Sequence, residues 1–126
     1  MAQQTFNLGF VQGNYIYWNW TTQAANLVIV RLQDSKQVYI DNATRQSTDP
    51  LNPAPLSGGS IMMGDDLSLT IDIPDSNTLI PILSVSNIKG PNPQTGIQIF
   101  NIAIEDGTDN DYNDVWFSIV GWSQEG

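Results

Sequence analysis

Apolar and polar residues alternate along most of this chain, and this pattern restricts the folds that it can adopt. In residues 67–73, Leu and Ile alternate with Ser, Thr and Asp, which is the period of two that is typical of a half-buried strand. No stretch of useful length has a helical period. Further strands are predicted at residues 15–20, 27–32, 38–40, 79–85, 97–104 and 115–122. About eight or nine short strands predict an all-β fold, an antiparallel β-sandwich.

Clusters of Pro, Gly, Asn and Asp separate the predicted strands. They lie at residues 49–59, 75–77 and 90–96, and such clusters indicate turns and loops. The Pro-rich stretch 49–59 is predicted to be a long exposed loop. Because no internal repeat or linker divides the chain, residues 1–126 are predicted to form a single domain.

The chain contains neither cysteine nor histidine. Disulfides, zinc-thiolate sites, thiol nucleophiles and Ser-His-Asp triads are therefore impossible. A glycosidase would need two carboxylates on either side of a cleft, whereas five acids fall within the ten residues 105–114. We predict no catalytic residue and do not expect an enzyme.

A net charge of −9 limits the partners of the chain. Phosphate backbones and anionic membrane surfaces would be repelled, so neither nucleic acid nor membrane insertion is expected. No basic region followed by an apolar run is present at the start, so no classical signal peptide is predicted. We expect synthesis in the cytoplasm and action at the cell surface or outside the cell.

The acids are concentrated in residues 105–114, which read Glu-Asp-Gly-Thr-Asp-Asn-Asp-Tyr-Asn-Asp without any Lys or Arg. Carboxylates, amides and backbone carbonyls are the oxygen ligands that calcium prefers, typically about six to eight per ion. Zinc would favour His or Cys. The segment therefore predicts a calcium site. An acidic hairpin loop without metal is the alternative, although its carboxylates would repel one another.

The spacing of these ligands suits a loop that closes around metal. Asp109, Asp111 and Asn113 alternate, so their side chains can converge on one side of the backbone. Asp114 adds a carboxylate from the next position, and Glu105 is placed to reach back across the loop. Five carboxylates exceed what one divalent ion needs for charge balance, so two adjacent calcium ions are predicted.

The same ten residues resemble the calcium loop of the bacterial fucose/mannose-binding lectins of the PA-IIL type. Shorter similarities occur elsewhere. Residues 6–8 resemble the first strand of that family, and residues 21–24 fall where its sugar-specificity loop lies. Gln46, Ser47 and Thr48 resemble a family tripeptide that lies near bound sugar, and the chain ends in Gly126 as the family does.

The resemblance implies a two-calcium site and the residues that build it. The implied metal ligands are Glu105, Asp109, Asp111, Asn113 and Asp114, with a backbone carbonyl at Thr21 and the terminal carboxylate of Gly126 from a neighbouring subunit. The implied sugar-binding residues are Thr22, Gln23, Thr48, Asp106, Thr108, Asp109, Asp111 and Asp114. In such lectins the sugar hydroxyls coordinate calcium directly.

These observations predict a calcium-dependent lectin for neutral glycans or monosaccharides, of the fucose or mannose kind. A calcium-stabilised structural or adhesin module that binds no sugar is the alternative. Strands rich in Trp and Tyr indicate a buried aromatic interface, so a homodimer or homotetramer is expected. Each of the four tryptophans is interpreted as core or interface, with a stacking platform for sugar as the other possibility: Trp18, Trp20, Trp116 and Trp122.

Overall fold

A computed structural model describes residues 2–24, 26–46, 56–90, 96–105 and 114–123. These residues form nine β-strands: β1 Ala2–Asn7, β2 Tyr15–Thr22, β3 Val28–Gln33, β4 Val38–Arg45, β5 Leu56–Ile61, β6 Ser68–Ile73, β7 Ile80–Lys89, β8 Gly96–Glu105 and β9 Val115–Trp122. Within the same residues, no helix could cross a membrane. The prediction of an all-β fold with eight or nine strands is confirmed.

The strands form two antiparallel sheets that pack face to face. One sheet has four strands in the order β1-β6-β3-β4, and the other has five in the order β5-β2-β9-β8-β7. Alternate residues of the central strands point into the space between the sheets, as in β6, where Leu69, Ile71 and Ile73 are fully buried. Their burial removes apolar surface from water, which is the main stabilising contribution to folding. The predicted β-sandwich is therefore confirmed.

One predicted loop is partly wrong, because Leu56–Ile61 forms β5 at the edge of the five-stranded sheet. Its composition is typical of a loop, yet Gly58 lies opposite Trp18 in the β2–β5 ladder. A Cβ on Gly58 would stand 2.6 Å from the Trp18 ring atom Cζ2. The glycine therefore makes room for the indole within a strand, which composition alone did not indicate. Residues 49–55 lie outside the described part of the chain.

The four tryptophans divide into two pairs. Trp18 and Trp20 are buried between the sheets, with 6% and 0% of their surface exposed, so they are core residues. Trp116 and Trp122 are on β9 at positions that alternate with the buried Phe117. They lie on the outer face of the five-stranded sheet, where Trp116 is 37% exposed.

Hydrogen bonds to the Asp34 carboxylate link the turn between β3 and β4 to the connection between β5 and β6. Asp34 Oδ1 accepts hydrogen bonds from the backbone amides of Lys36 and Gln37, each at 2.8 Å. Asp34 Oδ2 accepts hydrogen bonds from the Gly64 amide, at 3.0 Å, and from the Tyr39 hydroxyl. One side chain thereby satisfies donors from two separate connections, which stabilises their relative position.

This hydrogen-bond network shifts the pKa values of both of its titratable groups. Burial alone would raise the pKa of Asp34, but hydrogen bonds from Tyr39 and three backbone amides hold it below its ordinary value of 3.8. Burial, followed by the hydrogen bond to Asp34, raises the pKa of Tyr39 to about 12. The Tyr39 oxygen also accepts a hydrogen bond from the Met63 amide at 2.8 Å, which acts in the opposite direction.

Candidate metal and sugar site

Three strand ends meet at one end of the five-stranded sheet. There β2 ends at Thr22, β8 ends at Glu105 and β9 begins at Val115. Val115 lies opposite Thr22 on one side and opposite Ile104 on the other. The connection between β8 and β9, which is most of the acidic segment, therefore leaves and re-enters the sheet beside the end of β2.

The register places three predicted site residues in one row across these strands. Val115 of β9 forms the last pair with β8, opposite Ile104, and the last pair with β2, opposite Thr22. One position further along each strand, Asp114 is level with Glu105 on β8 and with Gln23 after β2. Neighbouring strands are about 4.8 Å apart. The carboxylate-bearing positions and the predicted specificity loop are thus adjacent, as a shared metal and sugar site requires.

Both acids at these strand ends are buried. Glu105 is 1% exposed and Asp114 is 8% exposed. A buried carboxylate needs hydrogen bonds, a charged partner or a metal ion, because removing its charge from water is costly. Two buried carboxyl side chains on adjacent strands are therefore compatible with the chemistry of a cation site.

Thr21 and Thr22 supply further oxygen atoms at the same end of the sheet. Their Oγ1 atoms are buried, and neither has a hydrogen-bond partner among the described residues. Buried hydroxyls without a partner are unusual in folded proteins. They lie at the same strand end as Glu105 and Asp114, on opposite faces of β2, and oxygen atoms are the ligands that a hard cation such as calcium takes.

The structure brings together five of the predicted residues, which are Thr21, Thr22, Gln23, Glu105 and Asp114. The others lie outside the described residues: Thr48, Asp106, Thr108, Asp109, Asp111, Asn113 and Gly126. Within the described residues, no three acidic side chains cluster in a way that could hold a metal ion. The complete ligand set, including the two calcium ions, stays a prediction.

Trp116 is a further candidate contact that the sequence did not single out from the other tryptophans. It lies opposite Thr21 on β2 and opposite Ala103 on β8. Its indole lines a shallow groove with Ile82, Ser84 and Asn101 on the outer face of the sheet. The alternation after Asp114 assigns Trp116 to the outer face, but only the ladder with β2 places it beside the site.

Two other grooves lie away from this row of residues. One is at the opposite end of the sheet, where Phe10, Asn87, Gln98 and Ser123 contribute to its lining. The other follows β2 and β5 on the outer face and includes Tyr17. Neither is lined by a predicted site residue, so the site is defined by its oxygen ligands and not by a deep cavity.

Similarity to known proteins is found in structure and not in sequence. No protein-family model matches the sequence, and no curated protein matches it. Solved structures do match. A high-affinity mannose-binding lectin from Ralstonia solanacearum has a TM-score of 0.59 and 20% identity, over 97% of this chain and 96% of that chain.

Two other bacterial lectins match over the same extent, 97% of this chain and 96% of each of theirs. Chromobacterium violaceum lectin CV2L, solved with α-methyl-fucoside, has a TM-score of 0.55 and 18% identity. The C-terminal domain of the Burkholderia cenocepacia lectin BC2L-C has a TM-score of 0.55 and 20% identity. This chain has the fold of these bacterial lectins. The fold implied by the ten-residue resemblance is thereby confirmed, and at this identity the likeness concerns the fold alone.

Proposed function

We propose that this protein is a calcium-dependent lectin that binds neutral glycans. The observation that carries the proposal is the position of the acidic segment, which connects β8 and β9 directly beside the end of β2. The shared fold adds support, because one similar protein is a mannose-binding lectin and another was solved with a fucoside.

The chain's own residues would hold two calcium ions in this segment. Glu105 and Asp114 contribute carboxylates from the strand ends, and the backbone carbonyl of Thr21 contributes from β2. Asp109, Asp111 and Asn113 contribute from the connection, and the Gly126 carboxylate of a neighbouring subunit completes the set. When bound, calcium accepts sugar hydroxyls in place of water at little cost in charge.

Sugar selectivity would depend on residues around the metal. Gln23 follows β2 next to the start of β9 and is partly exposed, so it is placed to contact a sugar held over the connection, whereas Thr22 is only 3% exposed and would act by shaping the end of β2. Asp106 would accept a hydrogen bond from a sugar hydroxyl, with Thr48 and Thr108 nearby. A net charge of −9 disfavours anionic glycans, so the ligand is a neutral sugar with vicinal hydroxyls, of the fucose or mannose kind.

We infer that the protein does not catalyse a reaction on the sugar. Carboxylates that bind calcium are held in the ionised form, so they cannot serve as the general acid that glycoside hydrolysis requires. The chain also lacks histidine, the commonest general acid–base residue.

A glycan array with and without a chelator tests the proposal. We expect binding to fucosides or mannosides that is lost with EGTA and restored by added calcium. Titration calorimetry with calcium alone separates the alternatives. Calcium binding without any sugar binding would support a calcium-stabilised structural module, and the absence of both would contradict the proposal.

A further inference from the structure

A groove lies at the end of the five-stranded sheet that is opposite the proposed calcium site. The ladder between β7 and β8 runs from the pair of Ile80 and Glu105, beside that site, to the pair of Lys89 and Gly96 at the groove. A ladder of ten residues separates these two places by about 30 Å. The groove has a volume of about 410 Å³, which lies in the range of small-molecule sites.

Two glycines shape the floor and one wall of this groove. A Cβ on Gly121 would stand 2.5 Å from two atoms of the Phe10 ring, so the missing side chain lets that ring pack directly onto β9. The ring is held in place by an edge-to-face contact with Phe100, with 5.4 Å between the ring centroids. At Gly96, the atom nearest to an added Cβ would be Ser123 Oγ at 3.8 Å. The space above Gly96 is therefore open, beside an apolar wall that is fixed by packing.

The groove is also lined by three side-chain amides, which both donate and accept hydrogen bonds. They belong to Asn14, Asn87 and Gln98. Asn87 on β7 lies directly opposite Gln98 on β8, so their side chains are neighbours on one face of the sheet. Asn14 Oδ1 accepts a hydrogen bond from the Val11 amide at 3.0 Å, which holds the Asn14 side chain in place. Hydroxyl groups both donate and accept, so this set of amides suits a hydroxylated ring.

Lys89 is the single charged side chain among the described residues that line the groove. The salt bridge found in the described part of the chain joins Arg31 to Asp41 instead. In a chain with four basic and thirteen acidic residues, a lysine without an acidic partner is a candidate for binding an anionic ligand. The net charge of −9 opposes anions in general, but salt screens exposed charges beyond about 8 Å. The local charge therefore decides, and it favours one negative group.

We propose that this groove is a second saccharide site, which needs no calcium and takes a sugar unit with one carboxylate, a uronic acid. Lys89 binds the carboxylate, the amides of Asn87 and Gln98 bind ring hydroxyls, and the C–H face of the sugar packs on the Phe10 ring. This site goes beyond the proposed lectin function, which concerns neutral sugars at the other end of the sheet. An open groove with one charged contact predicts weak binding, with a Kd on the order of 1 mM.

Titration of the ¹⁵N-labelled protein with methyl glucuronide in the presence of EGTA tests the proposal by NMR. The amide signals of Gly96 and Gly121 should shift with a Kd on the order of 1 mM, and neutral methyl glucoside should bind about tenfold more weakly or worse. Lys89→Ala should weaken glucuronide binding by a similar factor. Lys36→Ala is the matched control, because it removes the same charge from an exposed position in the turn after β3, and it should bind as the parent does.

A variant that fills the groove tests its location without a change of charge. Gly96→Leu places a side chain in the open space beside Ser123 and should abolish glucuronide binding, while circular dichroism melts check that it is folded. Equal affinity for glucuronide and glucoside, equal effects of Lys89→Ala and Lys36→Ala, or full binding by Gly96→Leu would overturn the proposal. So would glucuronide binding that requires calcium. Calcium-dependent binding of methyl mannoside should be unchanged in Lys89→Ala, so the two proposed sites succeed or fail separately.

Discussion

Thr22 lies directly opposite Val115 in the ladder between β2 and β9, and Val115 in turn lies opposite Ile104 on β8. This double pairing brings residues that are far apart in the sequence to one end of one sheet. The buried acids Glu105 and Asp114 lie at the same end. The arrangement gives the proposed calcium ligands a rigid support, since strand ends hold side chains more firmly than isolated loops do.

Asp114→Ala is expected to abolish calcium-dependent stabilisation. A ligand that binds only the folded state at a hundred times its Kd stabilises by about 2.7 kcal/mol, so calcium should raise the melting temperature of the unmodified protein. Thermal melts with calcium or EGTA measure this. Asp75→Ala is the control, because Asp75 is an exposed acid in the turn after β6 and its removal changes the charge equally. An equal response of both variants to calcium would contradict the assignment of Asp114.

Asp106→Ala should weaken sugar binding while calcium binding is largely retained. A hydrogen bond from a sugar hydroxyl to a carboxylate contributes about 1.5–3 kcal/mol, which corresponds to roughly 10- to 150-fold in affinity. Calorimetric titrations with calcium, and then with a methyl glycoside at saturating calcium, separate the two effects. If calcium affinity falls in parallel with sugar affinity, Asp106 is a metal ligand instead.

Gly58→Ala should destabilise the fold, because the added methyl group would stand 2.6 Å from the Trp18 ring. Overpacking of this kind costs about 1–3 kcal/mol, which chemical denaturation can measure. Gly9→Ala is the control, since its nearest new contact would be at 3.9 Å. A neutral effect at Gly58 would mean that the Trp18 ring moves without cost.

Tyr39→Phe should lower the free energy of unfolding by about 1–3 kcal/mol, since it leaves Asp34 Oδ2 and the Met63 amide without their shared partner. Tyr17→Phe is the control, because Tyr17 is 46% exposed. Urea denaturation of both variants at neutral pH measures the difference. An equal effect in the two variants would contradict a special role for the Asp34–Tyr39 network.

The same network predicts how stability depends on pH. The pKa of Asp34 is lowered in the folded state. Its contribution to stability is therefore present above its ordinary pKa of 3.8 and is lost as the pH falls through the lower pKa of the folded state. Because the pKa of Tyr39 is raised from 10.0 to about 12, its contribution is complete below pH 10 and is lost between these values. The difference in the free energy of unfolding between the parent protein and Tyr39→Phe should therefore become smaller at both acidic and strongly alkaline pH.

The strands and the chemistry of the acidic segment could be predicted from the sequence, because both are local properties. Alternation with a period of two assigns a residue to one face of a strand without reference to the rest of the fold, as Leu69 and Ile71 on β6 illustrate. The oxygen-only character of residues 105–114 is likewise a matter of composition. The resemblance to lectins added the expectation that residues 21–23 take part.

The tertiary structure decided which of these residues are neighbours. No local pattern specifies that β2 pairs with β9, so the position of Thr22 beside the acidic segment depended on the strand order. The loop-like sequence of β5 forms a strand through its pairing with β2, where Gly58 leaves room for the Trp18 ring. Alternation alone assigns Leu83 and Val85 to a buried face. They are exposed because burial depends on what covers a face, and the opposing sheet is one strand narrower.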